Sequence, residues 1–104
     1  MALNVNGDDA AAAIAASLEA DELLLITDVE GVYDDRGSVI PNLDVQDARE
    51  LVVKGVAEGG MAAKLESAHA ALAAGVNRVR ISDLVGLVDA MRGTFITQSE
   101  GVVS

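Results

Sequence analysis

The sequence predicts an α/β fold, a three-layer αβα sandwich around a largely parallel sheet. Two observations carry that expectation. Short apolar runs alternate with longer stretches of helical spacing, roughly in the order βαβ(β)ααβαβ, and such alternation builds parallel strands joined by helices. Leu23-Leu24-Leu25-Ile26 is a continuous apolar run, as expected for a strand covered on both faces. With 104 residues, one Tyr, one Phe and no Trp, the chain is expected to form one domain, residues 1–104, around a small core of Ala, Val, Leu and Ile.

The chain opens on Asn4-Val5-Asn6-Gly7-Asp8. Side chains alternate along a strand, so Asn4, Asn6 and Asp8 are expected on one side, just before an alanine-rich helix. Asp8 suits the N-cap of that helix, which spans Asp9 to Leu18 with Ile14 and Leu18 four apart. The apolar run stops at Thr27-Asp28, and Asp28-Val29-Glu30-Gly31-Val32-Tyr33 follows it directly. Gly31 can take a positive φ near a strand's carboxyl end, which is where ligands sit in open α/β sheets.

Asp34-Asp35-Arg36-Gly37 reads as a solvated turn, and Ser38 to Pro41 as the short second strand of a hairpin. A helix then starts at Asp44 or the residue before it, with Val45, Ala48, Leu51 and Val52 at apolar spacing until Gly55 ends it. Another begins at Gly59-Gly60, with Met61, Leu65, Ala68 and Leu72 as its core stripe and Gly75 at its C-terminal end. Val76 to Ile81 alternates as a strand, Leu84 to Met91 reads as a short helix, and Gly93 to Thr97 as the last strand.

Composition narrows the function classes. A net charge of -10, with seven scattered basic residues, argues against a nucleic-acid partner, because neutralising a phosphate backbone needs clustered Lys and Arg. The absence of cysteine removes thiolate nucleophiles and thiolate zinc sites, and fits a reducing compartment. No basic apolar leader and no run of membrane length occurs. The expectation is a soluble, cytoplasmic protein with no membrane partner.

Three groups could carry chemistry: the Asn-x-Asn-x-Asp strand end, the Thr-Asp-Val-Glu-Gly loop, and the Gly-Gly-Met-x-x-Lys helix start. Gly59-Gly60 uncovers backbone N–H groups to which phosphate can come close, and Lys64, one turn further in, can place its ammonium over a transferred group. Phosphoryl transfer needs such positive groups, a metal bridging the phosphates, and carboxylates that hold the donors in register. Lys64 suits the first role and Asp8 the last. His69 lies on another helix face and is assigned no chemistry. Tyr33 and Met61 could line a base pocket or pack in the core. No protein metal site is assigned.

In this order the three groups resemble the amino acid kinase family, most closely the C-terminal, nucleotide-binding lobe of its members that phosphorylate N-acetyl-L-glutamate. The likeness runs from Leu3-Asn4-Val5-Asn6-Gly7-Asp8 through Leu25-Ile26-Thr27-Asp28-Val29-Glu30-Gly31-Val32 to Gly59-Gly60-Met61-Ala62-Ala63-Lys64, and closes with Gly93-Thr94-Phe95-Ile96. It implies transfer of the ATP γ-phosphoryl group to a side-chain carboxylate, with Mg²⁺ bound through the nucleotide, in arginine biosynthesis. By the same resemblance Asn4 and Asn6 bind the acceptor, Asp8 organises the catalytic lysines, and Lys64 stabilises the transferring group. Thr27, Asp28, Val29, Glu30, Gly31, Val32 and Tyr33 match the loop at the nucleotide. Val56, Ala57 and Glu58 match a second stretch beside the adenine, with Gly60 and Met61 following.

The family's N-terminal lobe, with its glycine-rich phosphate loop, second catalytic lysine and substrate-binding arginine, has no match in this sequence. The resemblance therefore implies an N-terminal kinase lobe, in cis or in trans, as a partner alongside ATP and N-acetyl-L-glutamate. It is also compatible with a homo-oligomer, and it implies that this chain alone is inactive. Two alternatives stand beside it: a kinase of carrier-linked aminoadipate or glutamate in lysine biosynthesis, and a non-catalytic α/β module that binds a ligand or another chain.

Overall fold

The computed structural model describes residues 2–5 and 21–98. They form one five-stranded sheet. β1 (Ala2–Val5), β2 (Glu22–Ile26), β3 (Asn42–Asp44), β4 (Arg78–Ser82) and β5 (Thr94–Thr97) lie in the spatial order β1-β2-β4-β5-β3. β1, β2 and β4 run parallel, β5 is antiparallel to β4, and β3 runs parallel to β5. The sheet is thus mostly parallel, as the alternating pattern predicts, with one antiparallel junction.

Register sets the faces. Leu23, Val79, Ile96 and Leu43 pair across the sheet in one row, with Leu25 and Ile81 on the same side. This is the apolar face, and α1 (Val45–Val53) and α2 (Gly59–Ala73) cover it: Ala48, Leu65, Ala68, Ala71 and Leu72 join the strand residues in one buried core. The stripe expected along α2 is therefore the core stripe, with Met61 partly buried at its start.

On the opposite face Leu24 is buried and pairs with Arg80. All three central residues of the Leu23-Leu24-Leu25 run are accordingly buried, as expected of a strand covered on both sides. Arg80 is buried too. It reaches Glu22 (Nε to Oε2, 3.3 Å) and donates from one terminal nitrogen to the carbonyls of Asp89 and Arg92, both at 3.1 Å. Arg78 and Arg80 also stand over the Phe95 ring, 5.2 and 5.8 Å from its centre.

Both helices end in the same way. In α1 the Gly55 N–H donates to the Val52 carbonyl and the Val56 N–H to that of Leu51. In α2 Gly75 and Val76 do the same to Leu72 and Ala71. Each is a Schellman closure, which needs a left-handed residue after the cap, and Gly55 (φ 78°) and Gly75 (φ 111°) supply it. The starts differ. Asp44 caps α1 by accepting from the Asp47 N–H at 2.8 Å, whereas Glu58 makes no side-chain capping bond to α2.

Several expected elements differ in extent. Leu84 to Met91 is not a helix throughout; a 3₁₀ helix covers Leu84–Leu87 and turns follow. Leu84, Val85, Leu87, Val88 and Met91 stay exposed, so no buried face supports further helix, and Arg80 draws the Asp89 and Arg92 carbonyls out of helical pairing. Ser38 to Pro41 forms no strand, only a single antiparallel bridge between Tyr33 and Val39 around the Asp34–Gly37 turn. β3 follows it, too short and too polar to show in the pattern. The helix expected over Asp9 to Leu18 lies outside the described residues.

Candidate functional site

The carboxyl ends of the parallel strands meet the start of α2 at a cleft of about 410 Å³. Its lining comes from three segments: Thr27, Asp28, Val29, Val32 and Tyr33 after β2; Val56 and Ala57 between the helices; and Gly60, Met61 and Lys64 in the first turns of α2.

Each segment is held there by local chemistry. The Thr27 N–H donates to the Ser82 carbonyl at 2.8 Å, which extends the β2–β4 ladder one residue before the loop turns away. Val32 is fully buried at the far end of that loop, and its N–H donates to the Thr94 hydroxyl at 2.9 Å. The Asp34–Gly37 turn that follows is fixed by the Asp34 carboxylate, which accepts from the Arg36 and Ser38 N–H groups at 2.8 and 3.0 Å. Those bonds, the Ser38 N–H foremost, hold its carboxyl below its ordinary value.

The Schellman closure of α1 sends Val56 and Ala57 to the cleft, both N–H groups donating to the Leu51 carbonyl at 2.9 and 3.0 Å. At Gly60 an added Cβ would meet nothing within 4 Å, so the glycine leaves its backbone open on the cleft side. Lys64 lies one turn further along. The first turn of α2 carries no acidic residue, so the positive end of the helix dipole is not neutralised from within the turn. Asp28 and Lys64 are the charged lining residues.

Most of the residues expected at a nucleotide therefore share one cleft. Glu30, Gly31 and Glu58 do not line it. Gly31 does not take the positive φ expected of it; it backs the loop by close approach instead, since a Cβ there would sit 2.9 Å from the Thr94 hydroxyl and 3.2 Å from the Gly93 Cα. Asn4 pairs in register with Leu24 in β1, the strand beside β2. Asn6 and Asp8 lie outside the described residues. Among the described residues no three His, Cys, Asp or Glu side chains cluster as a metal site, and no helix is long and apolar enough to cross a membrane.

Sequence patterning assigns no role to Arg92 or Thr94, yet both brace the loop. Arg92 forks onto Asp83 with two 2.7 Å bonds and comes within 3.8 Å of Glu30. The Arg92 hydrogen bonds pull the Asp83 carboxyl below its ordinary value, and Asp83 raises Arg92 in turn. Such contacts join residues far apart in the chain, so no local spacing announces them.

A larger hollow, about 480 Å³, lies between α1 and α2 over Ile96. Val45, Val52 and Leu65 make it apolar, with Arg49, Glu66 and His69 exposed at its rim. No glycine lines it, and the helix start that reaches it, Val45 of α1, is already capped by the Asp44 carboxylate, so it lacks the open donors that make the first cleft suited to an anion.

Residues 2–83 match the amino acid kinase family. The acetylglutamate kinase of Cereibacter sphaeroides is 54% identical over 80 residues, covering 77% of this chain and 27% of that protein. The acetylglutamate kinase of Methanopyrus kandleri is 45% identical over 96 residues, 89% of this chain and 39% of that protein. The chain thus spans well under half the length of these relatives. Among solved structures, N-acetylglutamate synthase from Neisseria gonorrhoeae, complexed with coenzyme A and N-acetyl-glutamate, superposes with a TM-score of 0.81 at 32% identity, over 92% of this chain and 24% of that one. Giardia carbamate kinase superposes with a TM-score of 0.77 at 25% identity, over 91% and 34%.

Proposed function

Because the chain belongs to the amino acid kinase family, we propose that the β2–α2 cleft binds the phosphates and base of ATP. On this reading residues 1–104 are one nucleotide-binding unit, the C-terminal lobe of a kinase that phosphorylates the side-chain carboxylate of N-acetyl-L-glutamate in the cytoplasmic synthesis of arginine. The observation that carries it is the convergence of Lys64, the open backbone at Gly60 and the Thr27–Tyr33 loop on one cleft.

The roles follow from charge and geometry. Lys64 and the start of α2 offer positive potential to the phosphoryl group as negative charge spreads over its oxygens. Val56, Ala57 and Met61 supply apolar surface for the base, and Tyr33 a ring at the rim. Asn4 and Asn6 hold the acceptor and Asp8 orients Lys64. Asp28 is the single carboxylate in the cleft lining, which fits a metal held mainly by phosphates and water rather than by a protein cage. Mg-ATP would supply the phosphoryl group and the charge that bridges its oxygens. A second lysine and the acceptor's carboxylate clamp would come from an N-terminal lobe, in cis or in trans.

Calorimetry tests the first step. The chain should bind Mg-ATP, and Lys64→Ala should weaken binding by about tenfold, the scale of one charge-assisted hydrogen bond. No detectable ATP binding at millimolar concentration, with an intact acetylglutamate kinase binding under the same conditions, would overturn the proposal. Assays with N-acetyl-L-glutamate and with carrier-linked aminoadipate, each with and without an N-terminal lobe, separate the two acceptors. A folded chain that binds ATP but gains no transfer on adding the lobe would favour the non-catalytic module.

A further inference from the structure

Thr94 sits on β5, fully buried, and lines no part of the cleft. Its hydroxyl nevertheless completes a closed circuit behind the cleft wall. The Val32 N–H donates to Thr94 Oγ1 at 2.9 Å, Thr94 Oγ1 donates to the Ile40 carbonyl at 2.6 Å, and the Ile40 N–H donates back to the Val32 carbonyl at 2.8 Å. A hydroxyl can fill this position because it accepts and donates at once. A Val of similar shape can do neither.

The loop backbone rests on the same strand without an intervening side chain. A Cβ on Gly31 would lie 2.9 Å from Thr94 Oγ1 and 3.0 Å from a Val39 methyl. Arg92, two residues before Thr94, adds its fork to Asp83 and its approach to Glu30. The loop is thus tied at Glu30 to Arg92 and at Gly31 and Val32 to Thr94 of β5, while Thr27, Asp28, Val29, Val32 and Tyr33 line the cleft.

We infer that Thr94 is a positioning residue for the cleft: its hydroxyl fixes the height of the Thr27–Tyr33 wall, and with it the geometry offered to the ligand. The ligand part of this inference rests on the nucleotide reading above. The wall part does not, because it rests on hydrogen bonds within the chain itself.

Two measurements keep them apart. In the ligand-free chain, amide hydrogen exchange at Ile40 reports the loop through a backbone bond that no Thr94 substitution removes directly. Thr94→Val should lower Ile40 protection at least about tenfold relative to the amides of β4, whereas Thr94→Ser should stay within about threefold of the parent. Val79→Ala, in the core but away from the cleft, should lower overall stability without singling out Ile40. By calorimetry Thr94→Val should raise the dissociation constant for Mg-ATP by about tenfold, with Thr94→Ser near the parent.

If Thr94→Val does not fold, Gly31→Ala takes its place, since its methyl pushes the loop off Thr94 from the other side. Ile40 protection unchanged in the variant, or lost equally in Val79→Ala, overturns the inference. Selective loss at Ile40 in a chain whose parent binds no ATP supports the wall role and removes the nucleotide reading instead.

Discussion

Arg80 offers the sharpest test of how this small sheet is held together. Its side chain is 7% exposed and that of Glu22 is 13% exposed, so the ion pair at 3.3 Å is largely withdrawn from water. One terminal nitrogen also serves the Asp89 and Arg92 carbonyls. Arg80→Met keeps most of the side-chain length and removes every one of these donors. Breaking a buried pair costs about 3 to 5 kcal/mol, but Glu22 keeps Arg78 at 2.8 Å, which moves the expectation to about 3 kcal/mol. With an urea m-value of about 1 to 1.5 kcal/mol/M for so short a chain, the unfolding midpoint should fall by about 2 to 3 M. Should that exceed the parent's stability, Arg80→Lys gives a smaller loss, about 1 to 2 kcal/mol, because it keeps a charge for Glu22 but not the fork to the carbonyls. A change below about 0.5 kcal/mol in Arg80→Met, within the range of ordinary surface substitutions, would refute the argument that Arg80 clamps the β4–β5 connection.

Three further outcomes follow from local geometry. Gly93 has φ 97° and an added Cβ would overlap the Ile81 carbonyl oxygen, so Gly93→Ala should cost more than about 3 kcal/mol in urea unfolding, from backbone strain and forced separation of β4 from β5; a loss under about 1 kcal/mol would contradict it. Asp44→Ala removes the side-chain cap on α1 and should cost about 1 kcal/mol, seen in the same assay, with Asp44→Ser close to the parent. Asp83 has its carboxyl held below its ordinary 3.8 in the folded state, chiefly by the Arg92 hydrogen bonds; its stabilisation is therefore complete above about pH 4 and is lost as pH falls through the lower folded value. Asp83→Asn should accordingly lose less stability than the parent between neutral pH and about pH 3, and an identical pH dependence in the two would rule out this linkage.

What the sequence announces and what it conceals divide along physical lines. The apolar run at Leu23-Leu24-Leu25 and the stripe Met61, Leu65, Ala68, Leu72 are periodic, and both emerge as buried elements. Gly55 and Gly75 mark helix ends because only a left-handed residue closes them. Leu84 to Met91 misleads for the same reason those succeed: its apolar spacing resembles a helix, but its large apolar side chains stay exposed and only Gly86 packs inward among the described residues. β3 is invisible because Asn42-Leu43-Asp44 is three residues whose pairing is dictated by β5. The cleft shows a similar split. Its loop and helix start carry glycine and turn signals, whereas Thr94 and Arg92 act across 62 residues in the case of Thr94 and Val32, a separation at which no local pattern survives.

The two α-helices among the described residues share one kind of C-terminal closure but start differently, which bears on how the proposed nucleotide would be held in an acidic protein. α1 begins with Asp44, a carboxylate that accepts from the Asp47 N–H. α2 begins with Glu58, extended at φ -139° and making no cap bond, followed by two glycines and no acid in the first turn. A Ser, Thr or Asp cap in place of Glu58 would stabilise α2 by roughly 1 kcal/mol, yet its oxygen would occupy the amides that the proposed phosphate contact requires. The net charge of -10 acts over distances that physiological salt screens beyond about 8 Å, whereas the helix start and Lys64 act at contact. On the nucleotide reading, the amides at the start of α2 and Lys64 stand against the single carboxylate of Asp28 in the cleft lining, and the uncapped start at Glu58 keeps those amides available to a phosphate.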